Sequence, residues 1–191
     1  MNADDIELIA ERLRKLGVEF VVVGGPALER RFGVGTGDVD LLVAVGDFDA
    51  LEHAFEDRND VAPFEPSGTI GSTRILVRSG WVEVEFIVGT PFSGAQSGDA
   101  FVAYVGEYRS DRHGAVRWAR PEVVWYMRLC TDDWRLYVAK IRRDVRAGVP
   151  ESTFEGVLEV AKHFGIAERI RARTEEVKET LRLFGPTDRV R

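Results

Sequence analysis

The chain has 191 residues and a formal charge of −6, from 26 Lys and Arg against 32 Asp and Glu. That length suits one ordinary domain with an appended element, and the acidic balance argues against gripping bulk DNA through a broad basic surface. With 45% hydrophobic and 10% aromatic residues, there is enough apolar side chain for a core, which excludes global disorder. Charge is uneven: residues 1–100 hold 18 acids and 8 bases, and residues 101–191 hold 14 and 18. An acidic half can thus face a basic half across a cleft. Cys130, the sole cysteine, forbids an intrachain disulfide or a Cys-based zinc site and reads as a small buried hydrophobe. The longest uncharged run, 86–98, is too short and too broken by Gly, Pro, Ser and Gln to span a bilayer, and the start has no basic, apolar leader. The expectation is a cytoplasmic protein with no membrane partner.

Ile6, Ile9, Leu13 and Leu16 form one stripe behind Asp4 and Asp5 and ahead of Gly17, the pattern of a capped amphipathic helix. Val18 to Val23 reads as a buried strand cut by Gly24-Gly25-Pro26, with a helix expected from Ala27 to Phe32. A glycine-rich stretch from Gly33 to Gly37 leads into Asp38 to Val43, a second strand with Asp38 and Asp40 on one face. Phe48, Leu51 and Phe55 suggest a helix, and Pro63 and Pro66 a loop. Thr69 to Arg78 and Trp81 to Val88 flank Ser79-Gly80 as a hairpin, with Glu83 and Glu85 on the face opposite Val82, Val84 and Phe86. From Thr90 to Arg120 the pattern is poor, with one strand expected at Ala100 to Val105. Helices are expected from Pro121 to Cys130, from Asp132 to Arg146 behind Asp132-Asp133 as cap, and twice more within 151–185. The outline is α/β (α+β): a small mixed sheet with flanking helices over 1–120, then a helical region over 121–191 packed on it.

Acidic side chains flanked by Val, Leu and Phe in a sheet cost free energy unless compensated, and a hard cation is one compensation. Asp38, Asp40 and Glu85 are therefore read together, although Asp38 and Asp40 alone better suit a solvated strand face. Gly24 and Gly25 sit between a strand and a helix, where backbone N–H groups approach an anion closely. Thr36 precedes the acid pair, with a hydroxyl suited to a phosphate or a metal-bound water.

The stretches Val21-Val-Val-Gly-Gly-Pro-Ala-Leu28, Gly35-Thr-Gly-Asp-Val-Asp-Leu-Leu-Val43 and Val82-Glu-Val-Glu-Phe-Ile87 together resemble the minimal nucleotidyltransferases of the DNA polymerase β-like superfamily. They are most similar to the branch that includes abortive-infection and toxin-antitoxin nucleotidyltransferases. The resemblance covers roughly the first half of the chain. It implies that Gly24 and Gly25 contact a triphosphate, and that Asp38, Asp40 and Glu85 bind Mg²⁺ or Mn²⁺ and carry catalysis. This chain has Val34 where relatives often carry Arg, and Glu85 where they usually carry Asp; Glu83 on the same face is the fallback ligand. In the second half, Arg128 stands where relatives commonly place a Lys, and Lys140, one of four lysines, begins a basic-then-acid element ending at Asp144. Lys140 reads either as a contact to NTP phosphates or as a surface charge paired with Asp144 at i,i+4. Arg142, Arg143 and Arg146 are expected on a solvated face, and Trp125, Tyr126, Trp134 and Tyr137 in helix packing.

The resemblance implies transfer of an NMP from an NTP to an acceptor hydroxyl of a protein, a tRNA or a small molecule, releasing pyrophosphate, with a cognate partner protein as a further associate. The alternative is an inactive nucleotide-binding or protein-interaction module of a toxin-antitoxin-like pair. The Gly33-x-Gly-x-Gly run precedes a strand and does not link strand to helix, which argues against a dinucleotide site. His53, His113 and His163 lack metal-ligand spacing.

Overall fold

A computed structural model of the chain describes residues 3–33, 38–54 and 59–184. Helix α1 (Ala3–Lys15) has Asp4 and Asp5 in its first turn and Arg12, Arg14 and Lys15 in its last, each sign placed to suit the helix dipole. It buries Ile6, Ile9, Ala10 and Leu13. Strand β1 (Phe20–Val23) runs straight into α2 (Gly24–Phe32), so the helix begins at the glycine pair itself and not at Ala27. Strand β2 (Val39–Val43) starts one residue after Asp38. Helix α3 (Val45–Ala54) follows; Phe55, expected on it, lies outside the described residues, as does Thr36.

The hairpin formed by β4 (Ile70–Val77) and β5 (Gly80–Val88) is where the sequence places it, although the two-residue turn is Arg78-Ser79 and Gly80 opens the second arm. Pro66 lies not in a loop but in a three-residue exposed edge strand, β3 (Glu65–Ser67). An edge tolerates a residue that donates no hydrogen bond.

The expected strand at Ala100–Val105 is a helix, α4 (Gly98–Tyr108). The Ser97 side chain caps it by accepting from the Ala100 N–H at 3.1 Å, and Phe101 and Val105, one turn apart, are both fully buried. A β-branched and aromatic run is thus overridden by a cap and a helical burial period. A second hairpin, β6 (Ser110–His113) and β7 (Val116–Ala119), turns at Gly114 with φ of 56°. Helix α5 (Pro121–Cys130) agrees with expectation. The helix expected from Asp132 to Arg146 is instead a 3₁₀ turn (Trp134–Tyr137) followed by α6 (Val138–Arg146). Asp133 stands at the N-cap of that turn without a side-chain capping bond. Trp134 docks there, buried, with the guanidinium groups of Arg135 and Arg173 at 4.9 and 5.6 Å from its ring. Helices α7 (Thr153–His163) and α8 (Ala167–Phe184) complete the fold.

Among the described residues the result is a mixed seven-stranded sheet, in the order β3-β4-β5-β2-β1-β7-β6, flanked by helices. One apolar cluster joins α1 and α3 to β1, β2, β4 and β5 through Ile9, Leu13, Leu51, Val22, Leu41, Ile75 and Phe86. The other joins β1 and β2 to α2, α4, α5, α7 and α8 through Val23, Leu42, Leu28, Phe101, Trp125, Phe154 and Val177. Cys130 belongs to this second cluster, and burial pushes its thiol up to about 11, so it is an inert packing residue. Among the described residues no helix is long and apolar enough to cross a membrane.

Candidate active site

Strand β1 runs antiparallel to β2, placing Val23 beside Asp40, and β2 runs parallel to β5, placing Asp40 beside Glu85. Because alternate side chains share a face, this register puts Asp40, Leu42, Glu85 and Ile87 on one side of the sheet and leaves Val39, Leu41, Val84 and Phe86 in the opposite core. The two acids meet by strand pairing alone, 45 positions apart in sequence.

Asp40 also meets the start of α2. Gly24 has φ of 65°, and a Cβ on it would lie 1.6 Å from Asp40 Oδ2, so only glycine admits the carboxylate here. The Gly25 N–H donates to that carboxylate, so the cradle expected to hold phosphate holds Asp40. Burial, then Glu85, then Asp38 raise the Asp40 carboxyl to about 7, while the Gly25 N–H and Lys140 draw it the other way.

Gly24, Gly25, Asp38, Asp40 and Glu85 line one side of a cleft of about 520 Å³, and Arg128, Thr131, Tyr137, Lys140 and Arg143 line the helical side. Ile70, Ile87, Phe92, Val124 and Met127 supply its apolar wall. Glu83, the fallback ligand, is exposed beside Arg74 of β4 and does not line this cleft. Thus the described residues singled out from sequence, Glu83 apart, converge on one space.

The cations depart from expectation in detail. Asp144 does not pair with Lys140; its buried carboxylate accepts from the buried Arg128 guanidinium and, at 3.1 Å, from Trp125 Nε1. Lys140 instead sits with its ammonium 5.1 Å from the Tyr137 ring centroid. Arg143 and Arg146 are exposed as expected, but Arg143 also lines the cleft, and Arg142 donates to the Phe184 carbonyl at 2.9 Å. Trp125, Tyr126 and Trp134 are core residues as expected, whereas Tyr137 is a cleft residue. Arg143 lies three positions after Lys140, a spacing that shares a helix face and could have signalled its place. No such signal existed for Tyr137, whose position depends on the 3₁₀ turn.

Three carboxylates offer hard oxygen donors, the type that divalent cations such as Mg²⁺ take, and the mutual repulsion felt by Asp40 is charge that such a cation would offset. Among the described residues, no three His, Cys, Asp or Glu side chains are gathered closely enough to enclose an ion as they stand.

No family profile matches the chain. No curated protein matches it either. Among solved structures, it is similar to a protein of H. pylori provisionally assigned as a nucleotidyltransferase, at 10% identity and a TM-score of 0.41, over 97% of this chain and 99% of that one. It is also similar to JHP933 from Helicobacter pylori, at 10% identity and a TM-score of 0.38, over 96% and 95%. Both likenesses are loose.

Proposed function

We propose that the protein is a divalent-metal-dependent nucleotidyltransferase, moving an NMP from an NTP to an acceptor hydroxyl of a protein, a tRNA or a small molecule. The observation that carries this reading is the in-register pair of Asp40 and Glu85, set against Gly24-Gly25 and facing Lys140 and Arg143 across one cleft. Acids on one wall and cations on the other suit a substrate that brings both metal and phosphate.

Asp38, Asp40 and Glu85 would hold the metal, which when bound supplies charge neutralisation at the phosphates and a more acidic acceptor hydroxyl. Lys140, exposed in the cleft, is placed to lie along the phosphates, and Arg143, also exposed there, would do so from its 3.7 Å ion pair with Asp144. Arg128 is held by Asp144, so it presents a fixed positive wall and not a mobile contact. The acceptor oxygen forms a bond to the α-phosphorus, the bond from that phosphorus to the bridging oxygen breaks, and pyrophosphate leaves. The hydroxyl proton passes to a carboxylate of the same cleft. Catalysis of this kind needs positioning and charge more than a dedicated nucleophile.

A second reading, nucleotide binding without turnover, is favoured by the Asp40 carboxylate resting on the Gly25 N–H and by the lack of a closed ligand cage among the described residues. Pyrophosphate release separates the two. The protein is mixed with each NTP, Mg²⁺ and, in turn, total tRNA, lysate protein and aminoglycosides. Release above the acceptor-free control supports transfer, and calorimetric NTP binding with no release under any condition supports the second reading.

A further inference from the structure

The cleft does not end at its cations. A second cavity of about 350 Å³ adjoins it, and Thr131, Tyr137 and Lys140 line both. Lys140 marks the phosphate end of this boundary, since it lies near enough to Asp40 to act on its charge. The Tyr137 ring, with the Lys140 ammonium 5.1 Å from its centroid, comes next, and beyond it the second cavity is lined by Asp132, Asp133 and Leu136. The order from carboxylates to ammonium to aromatic ring matches the order of metal, phosphates and base in a nucleotide.

The backbone carrying these residues is fixed from behind. Arg173 of α8 donates to the carbonyls of Leu129 and, at 2.9 Å, Thr131, and its guanidinium lies near the buried Trp134 ring. The donors at this end, the Lys140 ammonium and the Tyr137 hydroxyl, lie at the boundary with the cleft, and the side chains beyond them offer acceptors. The Thr131 hydroxyl donates to the Arg128 carbonyl at 3.0 Å, so only its lone pairs remain for a ligand. Asp132 and Asp133 are exposed and, when ionised, only accept. Among the described residues no Asn or Gln lines either cavity.

We infer that Tyr137 is the nucleobase-stacking residue of the NTP site, and that the acceptor-only rim of Thr131, Asp132 and Asp133 selects bases bearing an exocyclic amine over uracil. The inference rests on the cleft being an NTP site. Cytosine and uracil are the discriminating pair: at ring position 4 cytosine presents an amine and uracil a carbonyl oxygen, while at position 3 cytosine presents a lone pair and uracil an N–H, so the rim discriminates where it faces position 4. A carbonyl facing a carboxylate leaves two acceptors opposed, the arrangement that costs most in a polar site.

The test is calorimetric titration of the whole chain with CTP and with UTP in Mg²⁺, without acceptor, for wild type and three variants, each first checked by thermal melting. Wild type is expected to bind CTP at least about fivefold tighter than UTP. Tyr137→Ala is expected to weaken both about tenfold while Tyr137→Phe keeps them, since stacking needs the ring and not the hydroxyl. The triple variant Thr131→Val, Asp132→Asn, Asp133→Asn is expected to bring the CTP-to-UTP ratio close to one, because Asn offers a donor to either base. Equal binding of CTP and UTP by wild type overturns the selectivity, and a Tyr137→Ala variant that binds as wild type does overturns the stacking. If wild type binds none of CTP, UTP, ATP and GTP titrated in the same way, the nucleotidyltransferase reading itself falls, an outcome distinct from both.

Discussion

On the sheet side of the cleft, Asp40 and Glu85 are set by strand register and Gly24 is shaped around a carboxylate. On the helical side, the cations divide: Arg128 is buried on Asp144, whereas Lys140 and Arg143 reach the cleft from an exposed helix face. The acidic wall is therefore rigid and strained, its acids held together at a cost that a bound cation would relieve. The basic wall is one locked charge, Arg128; one exposed charge tethered at 3.7 Å to the same Asp144, Arg143; and one exposed charge on the Tyr137 ring, Lys140. Under the proposed function, the rigid side would fix where a metal and phosphates sit, and the exposed cations would close on them without rebuilding the core.

Removing the lock is expected to have the largest effect. Asp144→Ala leaves the Arg128 guanidinium and Trp125 Nε1 buried without their partner, and urea denaturation should show a loss of about 3–5 kcal/mol. On the rigid wall, Gly24→Ala drives a Cβ into the Asp40 carboxylate at a positive φ. A loss of roughly 2–4 kcal/mol is expected there, together with loss of Mg²⁺-dependent NTP binding in calorimetry. Lys140→Ala, on the exposed side, should leave stability within about 0.5 kcal/mol of wild type yet weaken NTP binding about tenfold or more. A large stability loss on removing Lys140 would erase the distinction between locked and exposed cations.

The rigid wall also makes stability depend on pH. The Asp40 carboxyl titrates at about 7 in the folded protein against an ordinary value of 3.8. Between those values the folded state keeps a proton that the unfolded chain has released. Stability of the metal-free protein should therefore fall as pH rises from about 4 to 7 and level off above. Metal must displace that proton, so Mg²⁺ should raise the melting temperature more at pH 8 than at pH 6. A metal-induced shift independent of pH would place the ion elsewhere than on Asp40.

Much of this comparison was legible in the sequence, and the residues show why. Strand and hairpin patterns placed Asp40 and Glu85 on faces that register then joined, because alternation and short turns are local properties. The α1 stripe and the Pro121 start of α5 were equally local. The 98–119 segment was not legible, since α4 draws its stability from burying Phe101 and Val105 against distant elements and from the Ser97 cap. The Arg128–Asp144 pair was hidden for the same reason: it forms between two helices across a 3₁₀ turn that shifts α6 relative to the expected single helix. Thr36, read as a phosphate or water contact, lies outside the described residues.

The central claim is that an α-phosphoryl group is transferred at the Asp40–Glu85 centre, and the fate of isotopic label tests it most directly. Wild type, Asp40→Asn and Glu85→Gln are incubated with Mg²⁺ and an acceptor, using NTP labelled at either the α- or the γ-phosphate. The account predicts that wild type moves the α-label and never the γ-label to the acceptor, and that both variants, folded by melting, move neither. Transfer of the γ-label, or α-label transfer that survives both substitutions, would contradict it.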